Sequence, residues 1–206
     1  MNINVILVGA CLECVELCEL CGLKILGIID NNQTESFFGV PVIGNDGDVK
    51  QIAKRYAAAA GLVLTQDQPN IRKKLYEYYS KHGFSFSSVI SPKATISKTA
   101  KIGTGTIIQS GVNVASNTVI SSFVNVNTNA NIMHDCQIGD YVTLAPNSIV
   151  LGRVIIKDRV YVGANSTILP EKKIANDVIV GAGAVVTKDI TAHETIVGVP
   201  ARPIKK

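Results

Sequence analysis

The stretch from Val114 to Ile138, VASNTVISSFVNVNTNANIMHDCQI, has a branched aliphatic residue at every sixth position. The spacing continues without a break in both directions. A helix repeats after about 3.6 residues and a strand after about 2, so neither explains a period of six. A strict hexad instead predicts a chain that winds around an axis, with each aliphatic residue pointing inward. The aliphatic positions are Ile90, Ile96, Ile102, Ile108, Val114, Ile120, Val126, Ile132, Ile138, Leu144, Val150, Ile156, Val162, Ile168, Ile174, Val180 and Val186.

A second column of inward positions lies four residues after each of these aliphatic residues. Its members are small or apolar, with Lys172 as the exception. The residues between the two columns are mainly Gly, Asn, Asp, Ser and Lys, which suit turns and left-handed backbone angles. Three hexads per coil predict a parallel β-solenoid of about five to six stacked coils. Around Lys172, the segment Leu169–Lys173 is expected to bulge slightly.

The composition limits the classes of function. The chain has 206 residues, is 47% hydrophobic and carries a net charge of +4. This length allows one large domain or two small ones, and so weak a positive charge argues against a nucleic-acid partner. Met1–Ala10 has neither a basic start nor a long apolar run, so we expect no signal peptide and no membrane anchor. Five cysteines, an odd number, indicate a reducing cytoplasm.

Residues 1–88 lack the hexad and are predicted to form a separate domain in front of the solenoid of residues 89–206. Apolar runs alternate with helical patterns, which predicts a small Rossmann-like parallel α/β sheet. Gly9 ends the first strand and Asp30 ends the second. In Rossmann-like sheets this spacing brings a backbone turn and a ribose-binding carboxylate to one crevice. A tight turn and a solvated Asp30 remain an equally good interpretation. Strands are expected at Asn4–Val8, Lys24–Ile29, Val40–Ile43 and Gly61–Leu64, and helices at Cys11–Cys21, Asp48–Ala59 and Asn70–His82.

Four cysteines, Cys11, Cys14, Cys18 and Cys21, have a spacing that suggests either a metal site or one face of a helix. A helix rises about 1.5 Å per residue, so four ligands along it are spread too widely to meet at one ion. Free cysteine also behaves as a small buried apolar residue. We therefore expect no metal here.

His134 differs from the other two histidines because it lies at a corner of a predicted coil and is followed by Asp135. Corner side chains point outward, toward a neighbour or a ligand. A carboxylate beside an imidazole orients its tautomer and raises its basicity, as a general base requires. From the pattern alone, an exposed polar corner is the other interpretation. Cys136 occupies an inward position and is predicted to be core.

Together these motifs resemble the left-handed β-helix, hexapeptide-repeat acyltransferases. The first-domain segments resemble the bacterial subgroup that adds an N-terminal α/β domain. This subgroup includes N-acetyltransferases of nucleotide-linked amino sugars and sialic acid O-acetyltransferases. The resemblance rests on 134–140 (HDCQIGD), 181–189 (GAGAVVTKD), 197–202 (VGVPAR), 71–74 (IRKK), 83–84 (GF) and 89–92 (VISP).

The resemblance implies a cytoplasmic homotrimer that binds acetyl-CoA in the groove between adjacent subunits and uses no metal. It implies that His134 is the general base and that Asp135 activates it. It places the nucleotide sugar in the first domain, at Gly9, Cys11, Leu12, Glu13, Asp30, Asn31 and Thr65. It places acetyl-CoA at Thr143, Gly163, Ala164, Gly181 and Ala182, with Lys188 and Arg202 as partners for the CoA phosphates or, equally, as solvated charges.

The chain departs from many of these relatives at two points. They have Gly-His-Gly where this chain has Leu12, Glu13 and Cys14, so the turn that binds the nucleotide is bulkier. They also often have a second histidine near the acyl carbonyl, where this chain has Thr143. The function this implies is acetyl-CoA-dependent N-acetylation of a nucleotide-linked amino sugar. The alternatives are O-acetylation of a sugar such as a sialic acid, and a non-catalytic scaffold.

Overall fold

A computed structural model describes residues 4–33 and 35–204. The outer limits predicted for the two domains, residues 1 and 206, lie outside the described residues. The chain divides into two compact units. The first runs to Asp67 and resumes over Ile71–Val89, and the second comprises Gln68–Asn70 and the chain from Ile90 onward.

The first unit is built on a five-stranded sheet with the strand order β3-β4-β2-β1-β5. Strands β1, β2, β4 and β5 pair in parallel, which confirms the predicted parallel α/β arrangement. A short strand that was not predicted, β3, pairs antiparallel with β4. The strands are β1 (Asn4–Val8), β2 (Lys24–Ile29), β3 (Ser36–Phe37), β4 (Val40–Gly44) and β5 (Gly61–Leu64).

Three helices accompany this sheet, and each is shorter than predicted. They are α1 (Leu12–Leu20), α2 (Val49–Tyr56) and α3 (Pro69–Ser80). A turn of 3-10 helix over Asp46–Asp48 precedes α2, and the side chain of Asn45 caps it. Helix α1 buries Cys14 and Cys18 together with Val15 and Leu17, as expected for a core-facing stripe.

The second unit is the solenoid that the hexad predicts. Seventeen two-residue strands follow one another at six-residue intervals, and the second residue of each is a member of the aliphatic ladder. They are β6 (Val89–Ile90), β7 (Thr95–Ile96), β8 (Lys101–Ile102), β9 (Ile107–Ile108), β10 (Asn113–Val114), β11 (Val119–Ile120), β12 (Asn125–Val126), β13 (Asn131–Ile132), β14 (Gln137–Ile138), β15 (Thr143–Leu144), β16 (Ile149–Val150), β17 (Ile155–Ile156), β18 (Tyr161–Val162), β19 (Thr167–Ile168), β20 (Lys173–Ile174), β21 (Ile179–Val180) and β22 (Val185–Val186). Two more, β23 (Thr195–Val197) and β24 (Arg202–Pro203), complete the unit.

The seventeen two-residue strands pair in parallel at a spacing of eighteen residues, as Asn113 does with Asn131, whereas β24 pairs antiparallel with β23. Three parallel sheets therefore form the three sides of every coil. The ladder residues from Ile108 onward are buried, whereas Ile90 is 37% exposed. Ile90 lies in the first coil, which has a neighbouring coil on one side only.

The predicted bulge near Lys172 is wrong. Strands β17 and β20 pair in register there, with Ile155 opposite Lys173, and the Ile155 amide donates to the Lys172 carbonyl at 2.9 Å. Ladder hydrogen bonds use backbone atoms alone, so a charged side chain at one inward position leaves the register unchanged.

The corners of the coils turn through left-handed backbone. From Asn117 to Asp177, every sixth residue has a φ between 56° and 66°. Asn and Asp tolerate this conformation better than other residues that carry a side chain, and they occupy about half of these corners. Among the described residues, no helix has the length and hydropathy to span a membrane.

Candidate active site

His134 and Asp135 form a hydrogen-bonded pair at the corner between β13 and β14. The His134 Nδ1 atom lies 2.8 Å from the Asp135 Oδ2 atom, and both side chains are 45% exposed. The other carboxylate oxygen of Asp135 accepts a hydrogen bond from the Asn117 side-chain amide at 3.2 Å. Both oxygens of Asp135 are thus engaged, which fixes the orientation of the carboxylate beneath the imidazole.

The surroundings keep Asp135 ionised. The hydrogen bond from His134 is the main reason that the pKa of Asp135 lies below its usual value, and Asn117 and the charge of Arg153 act in the same direction. An ionised carboxylate can only accept hydrogen bonds, so it holds the proton of His134 on Nδ1. Nε2 is then the nitrogen that can accept a proton from a substrate.

Gly152 provides the surface on which the imidazole lies. It is one coil beyond His134, and a Cβ atom there would lie 2.8 Å from both Cε1 and Nε2 of the ring. The Arg153 amide donates to the His134 carbonyl at 3.0 Å, so the backbone of the two coils is also held together. Sequence reasoning missed Gly152 and Asn117, although each lies one eighteen-residue coil from the His134–Asp135 pair.

Cys136 and Thr143 are both buried beside this corner. The Cys136 thiol donates to the Leu151 carbonyl at 3.1 Å, and burial raises the pKa of the thiol. A thiol in this setting is a poor nucleophile, as expected for a core residue. Thr143 is fully buried as the first residue of β15. Its contact with an acyl carbonyl therefore stays a prediction.

The four predicted backbone contacts for acetyl-CoA lie in adjacent coils. The amides of Gly163 and Gly181 donate to Val180 and Ile196 at 2.8 Å, so the ladder already uses them. The amides of Ala164 and Ala182 donate to no acceptor within the described part of the chain. These two alanine amides, one coil apart, are therefore the donors that a ligand can use.

Gly163 also sets how closely these coils approach. A Cβ atom there would lie 2.6 Å from the backbone nitrogen of Ala182. The two predicted phosphate contacts, Lys188 and Arg202, are both exposed on the solenoid unit. Arg202 donates to the Ala201 carbonyl at 2.8 Å.

The first unit has a cleft of about 310 Å³ at the carboxyl ends of β1 and β2. Three of the predicted nucleotide-binding residues, Gly9, Asp30 and Asn31, line it. Strand order reverses at β1, which lies between β2 and β5, and such a switch point is where open parallel sheets bind ligands. The other lining residues, which sequence reasoning missed, are Val8, Ile29, Asn32, Asp46, Gln66, Ile71 and Leu75.

The side chain of Asp30, which follows β2, forms a hydrogen bond with the turn that follows β1. Its Oδ2 atom accepts the Ala10 amide at 2.7 Å, and its Oδ1 atom accepts the amides of Asn32 and Gln33 at 2.8 and 3.0 Å. Partial burial alone would raise the pKa of Asp30, but these three backbone hydrogen bonds outweigh it and lower the pKa. The carboxylate therefore shapes the cleft and has one lone-pair position left for a ligand.

Asp46 also lines the cleft, and its carboxylate is fixed by two side-chain hydrogen bonds. Its carboxylate accepts from the Asn31 side chain at 2.8 Å and from the Tyr79 hydroxyl at 2.5 Å. Burial, followed by this bond to Asp46, raises the pKa of Tyr79. No pattern in the sequence points to Asp46, because the hairpin of β3 and β4 and a 3-10 turn bring it next to Asn31.

The remaining predicted contacts of the nucleotide lie around the cleft. The Thr65 hydroxyl donates to the carbonyls of Val8 and Gly9 at 2.8 and 3.0 Å, so it supports the turn from below. Gly9 has a φ of 97°, and a Cβ atom there would lie 2.6 Å from this hydroxyl. Cys11 precedes α1, and Leu12 and Glu13 are its first two residues; none of the three lines the cleft.

The four cysteines in and beside α1 differ in burial and in thiol pKa. A hydrogen bond from the Cys14 thiol is the main reason that the pKa of Cys11 is lowered, and burial raises the pKa of Cys18 to about 12. All five cysteines of the chain are free. In the part of the chain that the structure describes, no three His, Cys, Asp or Glu side chains are placed to hold a metal ion.

Two overlapping stretches, residues 117–152 and 136–170, match the family described as Bacterial transferase hexapeptide (six repeats). A comparison with curated proteins found no match. Solved structures match over almost the full chain. A single-residue variant of GDP-perosamine N-acetyl transferase from Caulobacter crescentus, in complex with CoA and GDP-perosamine, is 28% identical, with 98% of this chain and 97% of that chain covered and a TM-score of 0.93.

Two further structures extend this similarity. The acetyltransferase domain of PglB from Neisseria gonorrhoeae, in complex with acetyl coenzyme A, is 27% identical, with 99% of this chain and 100% of that chain covered and a TM-score of 0.92. WeeI from Acinetobacter baumannii is 28% identical, with 98% of this chain and 100% of that chain covered and a TM-score of 0.89.

The repeats, the three-sided coils and these matches indicate the class: the chain carries bacterial transferase hexapeptide repeats and is similar over almost its full length to β-helix acetyltransferases. Within that class it has the architecture of acetyltransferases that carry an α/β domain in front of the β-helix. The predicted fold class, the resemblance to hexapeptide-repeat acyltransferases and the predicted type of enzyme are thereby confirmed.

Proposed function

We propose that the protein transfers an acetyl group from acetyl-CoA to the amino group of a nucleotide-linked sugar, of the 4-amino-4,6-dideoxy-hexose type, in the biosynthesis of a bacterial surface glycan. The observation that carries this proposal is the His134–Asp135 pair on an exposed corner of a fold matched by an enzyme bound to CoA and GDP-perosamine. The cleft at Gly9, Asp30 and Asn31 favours an acceptor that carries a nucleotide over a free sugar.

His134 acts as the general base in this mechanism. Its Nε2 atom takes the proton of the sugar amine while the amine nitrogen attacks the thioester carbon. Backbone amides bind the acetyl-CoA and stabilise the developing negative charge on its carbonyl oxygen; those of Ala164 and Ala182 donate to no acceptor among the described residues. The new C–N bond forms, the C–S bond breaks, and CoA leaves as the thiolate, which takes up the proton. Cys136 takes no part, because it is buried.

The proposed assembly is a cytoplasmic homotrimer with active sites between subunits. The half-exposed His134 supports it, because a catalytic base on an outer corner needs a second wall to exclude water from the thioester. Light scattering coupled to gel filtration measures the mass. A monomeric mass for the active species would contradict the assembly.

The function is tested by incubating the protein with acetyl-CoA and GDP-, UDP- or dTDP-linked 4-amino-4,6-dideoxy sugars, while release of the CoA thiol is followed with a thiol reagent. We expect turnover with at least one amino sugar, and His134→Ala to lower the rate by about 10²–10⁴. Matched sugars with a hydroxyl in place of the amine separate N- from O-acetylation. A protein that acetylates none of them, and gains no thermal stability from acetyl-CoA, would be a scaffold.

A further inference from the structure

We infer that Glu171, two coils beyond the catalytic corner, is a positioning residue that holds the Arg153 guanidinium and so leaves the Asp135 carboxylate to His134. This inference rests on the proposed role of the His134–Asp135 pair. It concerns how that pair keeps its geometry, and it adds a residue that does not touch the pair.

The residues involved form one column along a corner of the solenoid. Thr99, Asn117, Asp135, Arg153 and Glu171 follow one another at intervals of one coil. Hydrogen bonds link several neighbouring members. The Asn117 amide donates to Thr99 Oγ1 at 2.9 Å, and the Asn117 side chain donates to Asp135 at 3.2 Å. Paired strands are about 4.8 Å apart, so each side chain reaches the next coil on either side.

Arg153 lies between two carboxylates in this column, Asp135 on one side and Glu171 on the other. It donates from Nε and Nη2 to Glu171 Oε1, at 3.0 and 2.8 Å. Asp135 is affected by the charge of Arg153, while its own hydrogen bonds go to His134 and Asn117. Glu171 is thus the carboxylate that accepts the hydrogen bonds of the Arg153 guanidinium.

Removing the charge of Glu171 would leave a guanidinium one coil from the Asp135 carboxylate. An arginine–carboxylate pair is among the stronger hydrogen-bonded pairs, because the planar guanidinium matches the two oxygens. Arg153 would then compete with His134 for Asp135. A carboxylate shared with arginine holds the Nδ1 proton less firmly, so the imidazole loses both its fixed tautomer and its orientation.

The Arg153–Glu171 ion pair is expected to contribute little to the free energy of unfolding. Its side chains are 55% and 62% exposed, and exposed ion pairs contribute little to stability because solvent screens them. Removal of the pair should therefore be visible in the reaction and in the state of the imidazole, with only a small change in melting temperature.

The experiment compares Glu171→Gln with the double variant Glu171→Gln, Arg153→Gln. The kinetic probe is acetyl-CoA with a GDP-linked 4-amino-4,6-dideoxy-hexose. We expect Glu171→Gln to lower kcat by about fivefold, the size of one exposed charge coupling, with both KM values unchanged. Loss of Arg153 in the double variant should restore kcat. In an Asp135→Asn background, Glu171→Gln should have no further effect.

A matched control comes from another corner of the same solenoid. Arg159 donates to Asp177 at 2.8 and 2.7 Å across one coil, with the same spacing as Arg153 and Glu171. Asp177→Asn should leave kcat unchanged. If it lowers kcat as much as Glu171→Gln does, or if the double variant stays as slow as the single one, the assignment of Glu171 fails.

A second measurement needs no substrate. The chain has three histidines, so selective ¹⁵N labelling resolves the ring nitrogens of His134. We expect a protonated Nδ1 in the wild type, a shift toward mixed tautomers in Glu171→Gln, and recovery in the double variant. Unchanged ¹⁵N shifts in Glu171→Gln would overturn the inference. Full activity of His134→Ala would instead refute the base in the proposed function, so the two failures are distinguishable.

Discussion

The imidazole of His134 lies next to Gly152, one coil further along the solenoid, in the space that a side chain there would occupy. A Cβ atom at position 152 would lie 2.8 Å from Nε2, the nitrogen that carries the proposed chemistry. The absence of a side chain at Gly152 is therefore part of the candidate active site, and it makes the base sensitive to a single methyl group.

Replacing Gly152 with alanine should displace the imidazole and lower kcat by about 10², because misplacing a catalytic group by about 1 Å has effects of this size. Steady-state kinetics with acetyl-CoA and the preferred amino sugar measures the loss. In a His134→Ala background the same substitution should change the residual rate little. A Gly152→Ala enzyme that is as fast as the wild type would show that the ring does not need this surface.

Replacing Asn117 with alanine should lower kcat modestly without moving the pH profile. The variant loses one of the interactions that lower the pKa of Asp135, so this pKa should rise toward its ordinary value of about 3.9. Asp135 nevertheless stays ionised above about pH 5. We therefore expect a rate that is lower by a constant factor when kcat/KM is followed from pH 5 to pH 9. A loss confined to the acidic end would contradict this expectation.

Replacing Asp30 with asparagine should weaken binding of the nucleotide sugar. The new amide group would face backbone N–H groups that need an acceptor, so the turn at Ala10 should loosen and the KM for the sugar should rise about tenfold. The KM for acetyl-CoA should not change. Equal increases in both KM values would indicate general damage to the fold.

The lowered pKa of Asp30 also predicts how stability depends on pH. A carboxylate with a lower pKa in the folded state stabilises the protein above its unfolded pKa of about 3.9, and this contribution disappears as the pH falls through the folded value. The difference in melting temperature between wild type and Asp30→Asn should therefore shrink as the pH falls from 6 to 3. A difference that stays constant over this range would refute the linkage.

Alanine substitutions at two serines, which occupy equivalent inward positions one coil apart, should change the free energy of unfolding in opposite directions. Ser166 donates to the Gly163 carbonyl at 2.7 Å, whereas the buried Ser148 hydroxyl has no hydrogen-bond partner within the described residues. Ser148→Ala should raise the free energy of unfolding by about 1 kcal/mol and Ser166→Ala should lower it by about the same amount. Thermal melts measure both, and shifts of the same sign would contradict the prediction.

The sequence predicted the scaffold well because one physical rule repeats along it. Each ladder residue from Ile108 onward is buried, so the six-residue spacing directly identifies the residues of the solenoid core. The prediction failed at Lys172, because backbone hydrogen bonds keep the register whatever the side chain. The first domain followed from the alternation of strands and helices, but β3 was missed because two residues are too short for a pattern.

The candidate site was predicted only in part, because its contacts run across coils. His134 and Asp135 are neighbours in sequence and were found together. Asn117 and Gly152 support them from one coil away, and a search at eighteen-residue intervals would have found both. Asp46 offered no comparable signal, since its contact with Asn31 depends on the path of the chain between two strands.

The fixed period of the coils has a consequence for how such a chain can change length. Deleting or inserting eighteen residues would remove or add one whole coil and would keep every later side chain on its own side of the triangle. A change of six residues would preserve the buried ladder equally well, yet it would rotate all later side chains by one third of a turn. Length changes of six or twelve residues can therefore leave the core intact while carrying the catalytic corner to the wrong face.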